Sequence, residues 1–431
     1  MATLMIRKFG PIENCEIDCS RFMVLTGFQA SGKSTIAKSL FFFRTIKDDV
    51  CALAEERAIE EFSSEKRSSS FISHLVSNLQ QKFLRIFGST WAMDDEMQLK
   101  YSYSDKTYIK ITLIKYEGNL IPNIIDFIFS DDIKKIIRDF DQILVADKLG
   151  IDQTAKQELR KQVHELFSDH NEVVYIPAGR SMLTLLSEQL YYIYTTMKDA
   201  QKRSLDYCTQ KYMEKILEVK SEFSNGLHGL AEYYGINDQA SSEAVSFALE
   251  LVQKVLRGDY VNSNGEDRIQ IDKNKYVKIN YASSGQQESV WIMNLLIYYL
   301  LNKTPVLFII EEPESNLFPE SQKYITELIT LIVNQGHSVL ITTHSPYVLG
   351  TLNNLLFANQ VGKKNPEQAG QVISKRIWLD DKTVHAYFVK NGGAEDCMDS
   401  EMHLIQNERI DEISHVVNQE YDQLFDIQME D

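Results

Sequence analysis

A short glycine-bounded segment near the N-terminus has the residue types that bind phosphate. Gly27 is followed, after four residues, by Gly32, Lys33 and Ser34, which is the P-loop pattern. Backbone N–H groups of such a loop, and of the helix after it, converge on one point and attract a polyphosphate. Lys33 would add a positive charge for the β- and γ-phosphates, and the Ser34 hydroxyl is placed to ligate Mg²⁺. The other loop residues expected to contact the phosphates are Gln29, Ala30, Ser31 and Thr35.

Two adjacent carboxylates form a second site for chemistry. Glu311 and Glu312 follow the uninterrupted apolar run 305–310, which is typical of a buried strand. We expect Glu311 to hold the Mg²⁺ shell and Glu312 to orient a water against the γ-phosphate, because phosphoryl transfer requires mainly positioning, metal and charge compensation. The alternative is a solvated acidic turn, which the burial expected of the strand argues against.

A third segment, Ser283 to Gln286, precedes the apolar helical run 290–301. Serine hydroxyls, a glycine that permits close approach and the free N–H groups of a helix start together suit an anion. Since the chain already has a P-loop, this segment suits the γ-phosphate of a nucleotide that another copy holds. Its members are Ser283, Ser284, Gly285 and Gln286. Read alone, the segment is more typical of a plain helix N-cap.

Strands that alternate with helices and carry polar groups at their C-terminal ends predict a parallel sheet with ligand along that edge. Strands at 22–26, 305–310 and 339–343 end at the P-loop, at Glu311 and at His344. Other predicted elements are strands at 4–9, 15–18 and 173–176, hairpins at 101–116 and 269–279, a helical lobe at 181–256, and strand-like runs at 372–379 and 383–389.

Two side chains outside these motifs leave alternatives open. Arg180 follows the predicted strand 173–176; it is either a solvated loop arginine or a charge delivered to a nucleotide or a partner subunit. Gln80 and Gln81 are both candidates for a glutamine that contacts the γ-phosphate and Mg²⁺, and neither lies in a clear motif.

Taken in order, the motifs resemble those of an ABC-type ATPase. They are the P-loop, Ala-Ser-Ser-Gly-Gln at 282–286, Glu-Glu-Pro-Glu at 311–314 and Thr-Thr-His-Ser-Pro at 342–346. More narrowly, they resemble the RecF, SMC and OLD-like group found in antiphage systems such as Septu, Gabija and PARIS. The resemblance is specific for about residues 3–40 and 276–356 and weak between them. It implies an α/β P-loop NTPase fold of the ABC type, with a mixed sheet core, an antiparallel β-lobe and a large inserted helical lobe.

The resemblance also implies cofactors and roles. ATP and Mg²⁺ would be bound by the P-loop, with Ser34 and Glu311 on the metal. Glu312 would be the catalytic base or water orienter, Lys33 would assist, and His344 would sense the γ-phosphate. The segment 283–286 would be the signature, acting in trans in a homodimer with two shared ATP sites, or in a higher oligomer. Glu311 replaces the family's usual aspartate, and Ala282 and Ser284 replace its more common leucine and glycine.

The same resemblance divides the chain into parts. An ATPase head would comprise residues 1–62 with the P-loop and residues 263–360 with the signature, the two glutamates and His344. Between them we expect a β-lobe with helices at 63–170 and the inserted helical lobe at 171–262, and after them C-terminal strands and an acidic helix at 361–431.

Composition limits the remaining choices. The 431 residues carry a net charge of −16, which disfavours broad nonspecific wrapping of nucleic acid and leaves room for a local basic groove. No apolar run approaches the roughly 18 residues of a membrane span, and no signal peptide pattern precedes Gly27, so we expect a cytoplasmic protein that does not contact a membrane. The five scattered cysteines are typical of reduced core thiols rather than of a zinc site.

Two functions follow from these expectations. Gly27 and Glu311 are 284 positions apart, too far for a transporter-type subunit, and the 87 residues after His344 lack the acidic metal arrangement of a Toprim nuclease. The first hypothesis is therefore an ATP-driven dimer that regulates a separate effector, a nuclease, in antiphage defence. The second is an ATP-gated DNA clamp in repair.

Overall fold

The structure, a computed structural model, describes residues 2–60, 70–90, 93–114, 123–146, 153–185, 196–197, 205–235, 239–263, 265–406, 416, 418–425 and 427–428. Its strands are β1 (Ala2–Phe9), β2 (Ile12–Cys19), β3 (Phe22–Gly27), β4 (Gln98–Ser102), β5 (Tyr108–Ile114), β6 (Ile124–Phe129), β7 (Glu172–Ile176), β8 (Asp259–Ser263), β9 (Glu266–Asp272), β10 (Lys275–Lys278), β11 (Val306–Glu311), β12 (Ser338–Thr343), β13 (Val384–Lys390) and β14 (Gly393–Asp396).

The helices alternate with these strands along much of the chain. They are α1 (Lys33–Arg44), α2 (Ile46–Glu60), α3 (Phe71–Phe87), α4 (Asp131–Ala146), α5 (Gln153–Leu166), α6 (Ser181–Leu185), α7 (Tyr207–Val219), α8 (Gly226–Tyr234), α9 (Gln239–Leu256), α10 (Ser284–Asn302), α11 (Pro319–Asn334), α12 (Pro346–Gly362) and α13 (Pro366–Val372). No described helix is long and apolar enough to cross a bilayer.

A six-stranded sheet lies at the centre, in the order β14-β13-β3-β12-β11-β7. Five neighbouring strands, from β13 to β7, run parallel, and β14 is antiparallel at one edge. Every residue of β3 and β11 is buried, as expected of strands covered on both faces. The predicted α/β fold with a mixed sheet is confirmed.

The alternation of side chains along each strand divides the core into two. On β3, Phe22 and Val24 face one core while Met23 and Leu25 face the other. The first core lies under helices α7 to α12. The second lies under α1 to α5 and a five-stranded antiparallel sheet of order β2-β1-β4-β5-β6. Strands β4 to β6 of this sheet come from the range predicted for the β-lobe, but β1 and β2 come from the range predicted for the ATPase head.

Two other stretches also differ from the predictions. β7 falls in the range predicted for the inserted lobe, yet it pairs in parallel with β11 in the central sheet. The strand-like run 372–379 is not a strand, because α13 ends at Val372 and a 3₁₀ turn spans Lys375–Ile377. There the Trp378 indole N–H donates to the Ile373 carbonyl at 2.9 Å, so local side-chain packing overrides the apolar pattern. The described residues from 205 to 256 are mainly helical, as predicted.

Candidate functional site

The P-loop connects β3 to α1 at the C-terminal edge of the central sheet. Gly27 has φ +139°, and a Cβ at this position would lie 2.3 Å from the carbonyl oxygen of Val389 on the neighbouring β13. Only glycine fits so close to another backbone. Ala30 and Gly32 also have positive φ, of 59° and 112°, so the loop turns tightly and presents its N–H groups before α1 begins at Lys33.

The ammonium of Lys33 lies inside this loop. Nζ donates to the carbonyl oxygens of Gly27 at 2.9 Å and Phe28 at 2.7 Å, and the residue is 5% exposed. Burial lowers the pKa of Lys33 to about 8, although Glu312 and Glu314 act in the opposite direction. The charge that would meet a phosphate is therefore positioned before any nucleotide binds.

Glu311 is the last residue of β11 and is 6% exposed. Its Oε2 accepts from the backbone N–H of Ala178 at 3.3 Å, whereas Oε1 is buried with no hydrogen-bond partner. An unpartnered buried carboxylate oxygen is costly, and carboxylate, hydroxyl and phosphate oxygens are ligands that Mg²⁺ accepts. The residues thus fit the metal that the resemblance implies, with the exposed Ser34 as the second protein ligand.

The described part of the chain holds no cluster of three or more His, Cys, Asp or Glu that could bind a metal. Two protein ligands, Ser34 and Glu311, are too few to hold a cation alone. A Mg²⁺ at this edge would depend on phosphate oxygens for the rest of its shell, as is usual for magnesium at nucleotide sites.

Glu312 and His344 contact each other across the sheet edge. Glu312 Oε1 lies 3.2 Å from His344 Nε2, and Oε2 accepts from the Ser315 hydroxyl at 3.1 Å. The hydrogen bond with His344 is the main reason why the pKa of Glu312 is lowered. Glu312 has φ +44°, a conformation that is uncommon outside glycine and is often found at functional positions.

His344 also contacts the P-loop, because β12 lies next to β3. Its Nδ1 lies 2.9 Å from the Gly27 carbonyl oxygen and 3.5 Å from Lys33 Nζ. The Gly27 carbonyl and the Glu312 carboxylate can only accept hydrogen bonds, so each ring nitrogen of His344 faces an acceptor, while Nδ1 also lies near the Lys33 ammonium. The structure therefore brings Gly27, Lys33, Glu312 and His344 into one linked cluster.

Glu314 holds this cluster in place, and we assigned it no role from the sequence. It is 9% exposed, and its Oε1 accepts from the Thr343 hydroxyl at 2.6 Å and from the His344 backbone N–H at 2.9 Å. Burial is the main cause of its raised pKa. The signal in the sequence is the third acid of the Glu-Glu-Pro-Glu segment, whose partners lie some 30 residues further along the chain.

The signature segment, Ser283 to Gln286, forms the start of α10. Ser283 and Gln286 make a capping box in which each side chain binds the other's backbone N–H, at 3.3 and 3.0 Å. Gln286 Nε2 also donates to the Leu256 carbonyl at 2.6 Å. The side chains predicted to meet a nucleotide at Ser283 and Gln286 are therefore engaged within the chain, and Ser284 is the exposed hydroxyl that remains.

Gly285 fixes where this segment lies. A Cβ there would lie 2.7 Å from the carbonyl oxygen of Asn316, which belongs to the turn just after Glu312 and Glu314. The signature therefore lies at the same edge of the sheet as the carboxylates. Among the described residues, its side chains bind one another and Leu256 and not the P-loop of their own chain.

Arg180 and Gln80 have structural partners. Arg180 is fully buried, with 0% exposure, so it is neither a solvated arginine nor a charge offered to a ligand; both interpretations from the sequence are wrong. Gln80 Nε2 donates to the Ile125 carbonyl on β6 at 2.8 Å, which ties α3 to the β-lobe.

Comparison with known proteins gives one family. Residues 1–349 match the family model AAA_15, an AAA ATPase domain. Three similar solved structures are SMC heads, each with 11% identity: one bound to the C-winged helix domain of ScpA (TM-score 0.41, 91% of this chain and 96% of that chain covered), one from Thermotoga maritima (0.36, 91% and 97%), and one with an extended coiled coil bound to the C-terminal domain of ScpA derived from Pyrococcus furiosus (0.37, 92% and 96%). No curated protein matches the chain.

Proposed function

Because the chain belongs to the AAA_15 family of AAA ATPase domains, whose model spans residues 1–349, we propose that it is a Mg²⁺-dependent ATPase that dimerises around ATP and regulates a separate effector. The observation that carries the ATPase part is the linked cluster of Gly27, Lys33, Glu312 and His344. All four residues lie at one edge of the sheet. Together they supply the phosphate-binding loop, a positive charge, a carboxylate and a histidine, which phosphoryl transfer requires close to one another.

Each side chain of the cluster has a definite task in hydrolysis. When nucleotide binds, the Lys33 ammonium exchanges its hydrogen bonds to the loop carbonyls for hydrogen bonds to phosphate oxygens. Its positive charge offsets the negative charge of the phosphates. Glu312, whose pKa is lowered, is ionised at neutral pH and accepts a proton from the attacking water, while His344 and Ser315 fix its orientation. Ser34 and Glu311 would hold Mg²⁺, which when bound supplies further charge compensation to the phosphates.

The dimer is proposed from the position of the signature. Ser284 and the first N–H groups of α10 lie at the sheet edge of the carboxylates, but the side chains of this segment do not bind the P-loop of their own chain. An exposed helix start suits a phosphate brought by a second copy. Two copies would then share two ATP sites.

The effector is proposed from the last part of the chain. The described side chains of residues 416–428 are all exposed, including Tyr421 at 67%, Leu424 at 67% and Phe425 at 48%. The described residues of this stretch are helical, and a short helix gains its stability mainly by burying an apolar face. Residues 409–431 contain seven acids and one arginine, so a partner with a basic, apolar-floored groove fits this tail better than a second copy of an acidic chain. The resemblance to antiphage ATPase subunits supports a nuclease as that partner.

Glu312→Gln tests the shared-site reaction. The substitution keeps the size of the side chain and removes the proton acceptor, so we expect turnover to fall by roughly 10²–10⁴-fold and an ATP-bound dimer to accumulate. Steady-state hydrolysis and light scattering after gel filtration with ATP and Mg²⁺ measure both. Glu320→Gln, at the exposed first turn of α11, is the matched control and should behave as wild type. A Glu312→Gln chain that stays monomeric with ATP contradicts the shared sites.

Strong, salt-dependent DNA binding by the isolated chain would favour the clamp instead of the regulator. Co-elution of a protein encoded beside this one, lost when residues 407–431 are removed, would favour the regulator. Gel shifts at two salt concentrations and co-expression with the neighbouring gene separate the two functions.

A further inference from the structure

A buried arginine connects the signature helix to the catalytic carboxylates. Arg180 lies in the turn between β7 and α6 and is 0% exposed. Its guanidinium has five N–H donors in a rigid fork. Burying such a charge is costly unless its donors are used. The acceptors of Arg180 therefore show which segments of the chain it holds in position.

The acceptors are backbone carbonyls at the ends of β7 and β11. Nη1 donates to the carbonyl oxygen of Glu311 at 2.6 Å and to that of Pro177 at 2.7 Å, and Nη2 donates to that of Glu312 at 3.0 Å. These bonds fix the peptide planes on both sides of the Glu312 Cα, where φ is +44°. Arg180 thereby sets the direction of the Glu312 side chain without touching it.

The other side of the fork reaches α10. Arg180 Nε donates to the Glu288 carbonyl at 3.0 Å and lies 3.3 Å from the Glu288 carboxylate. That carboxylate, on a side chain 2% exposed, also accepts from the backbone N–H groups of Arg180 and Ser181, each at 3.0 Å. Glu288 lies one helical turn beyond Ser284, so a displacement of the signature is transmitted to Arg180 through a short, fully bonded path.

We propose that Arg180 is a positioning residue that, with Glu288, couples the two shared ATP sites. This inference rests on the proposed function. The signature of one chain meets the nucleotide held by its partner, whereas Glu312 acts on the nucleotide held by its own chain. When the signature of one chain binds the nucleotide held by its partner, α10 of that chain shifts. The Arg180 guanidinium transmits this shift to Glu312 of the same chain and brings Glu312 into its productive orientation at the other ATP site.

Arg180→Lys tests the coupling, because lysine keeps the charge and loses the fork. Wild type should hydrolyse ATP with a Hill coefficient above one and at most about two, the number of sites. In the variant we expect a coefficient of one and a kcat lowered by roughly tenfold to a hundredfold, the cost of a misplaced group. ATP affinity, measured by calorimetry, should stay within about twofold, because the P-loop contacts are intact.

Arg44→Lys is the matched control. Arg44 is also a largely buried arginine with an ion-pair partner, Asp169 at 2.7 Å, but it lies at the far end of α1. This control should lower the melting temperature and leave the Hill coefficient unchanged. If Arg180→Lys does the same, Arg180 only packs and the coupling is refuted.

Should Arg180→Lys fail to fold, Glu288→Gln decides the question. It keeps the shape of the side chain and places an amide N–H₂ in a site where only acceptors are wanted, so the same loss of cooperativity is expected. A cooperative Glu288→Gln chain refutes the coupling. Wild type that neither hydrolyses ATP nor dimerises refutes the proposed function, whereas cooperative wild type with cooperative variants refutes the coupling alone.

Discussion

The P-loop cluster and the signature segment lie at the same sheet edge but are built in opposite ways. In the P-loop cluster, buried or strained groups already contact one another: Lys33 holds loop carbonyls, and His344 links Gly27 to Glu312. In the signature segment, the side chains of Ser283 and Gln286 satisfy their own helix start and Ser284 is exposed. Under the proposed function, each chain would bind nucleotide with its own P-loop cluster, the binding half, and would need the signature segment of a second copy to complete the catalytic site.

Lys33→Ala should have the largest effect, because it removes the charge with which the binding half holds nucleotide. A lost charge-assisted hydrogen bond network of this kind corresponds to about 1.5–3 kcal/mol, so we expect ATP affinity to fall by roughly tenfold to a hundredfold or more. Lys38→Ala is the control, since Lys38 lies one turn further along α1 and pairs with Asp206 at 2.9 Å. Calorimetry with ATP measures both, and unchanged affinity in Lys33→Ala would mean that the loop is only a turn.

Ser284→Asp should leave the binding half intact and disable the signature. An acid at the first position of α10 favours the helix dipole, so stability is retained, while its charge repels the phosphate of a partner's nucleotide. We expect turnover to fall by roughly tenfold to a hundredfold, loss of the ATP-dependent dimer, and monomer affinity within about twofold. Gln239→Asp puts the same charge on the first residue of α9 and should hydrolyse normally. Normal turnover in Ser284→Asp would show that the signature meets no nucleotide.

The pH dependence of ATP affinity is a smaller effect, and it should further distinguish the P-loop cluster from the signature segment. Because burial lowers the pKa of Lys33 to about 8, the free chain loses this proton above pH 8, and ATP binding must restore it. Affinity should therefore fall by up to about tenfold per pH unit between pH 8 and 10. The sign for folding is the reverse: the unfolded chain keeps the proton longer, so the Lys33 contribution to the free energy of unfolding grows with pH in this window.

Calorimetry in two buffers of different ionisation heat measures the proton uptake directly. Ser284→Asp should show the same uptake as wild type, since the signature is not part of the binding half. If ATP binding takes up no proton at pH 9, the pKa of Lys33 in the free chain does not lie near 8.

The local parts of this site could be read from the sequence. A P-loop, a buried strand ending in Glu311 and Glu312, and His344 after β12 are continuous patterns whose physics lies within a few residues. Glu288 and Glu314 were given no role, and the buried role of Arg180 was not foreseen, because their partners are distant: Arg180 and Glu288 are 108 positions apart. The run 372–379 was predicted as a strand from its apolar pattern, but it contains the end of α13 and a 3₁₀ turn, with the Trp378 indole bound to the Ile373 carbonyl.

The position of β13 next to β3 has a consequence for synthesis of the protein. Strand β3, which leads into the P-loop, pairs with β12 on one side and with residues 384–389 of β13 on the other. Val389 lies against Gly27. During translation the amino-terminal segment must wait for some 360 further residues before its neighbours emerge. Chains that terminate before residue 384 lack this neighbouring strand beside β3, so we expect unfinished polypeptides to bind nucleotide more weakly than finished ones.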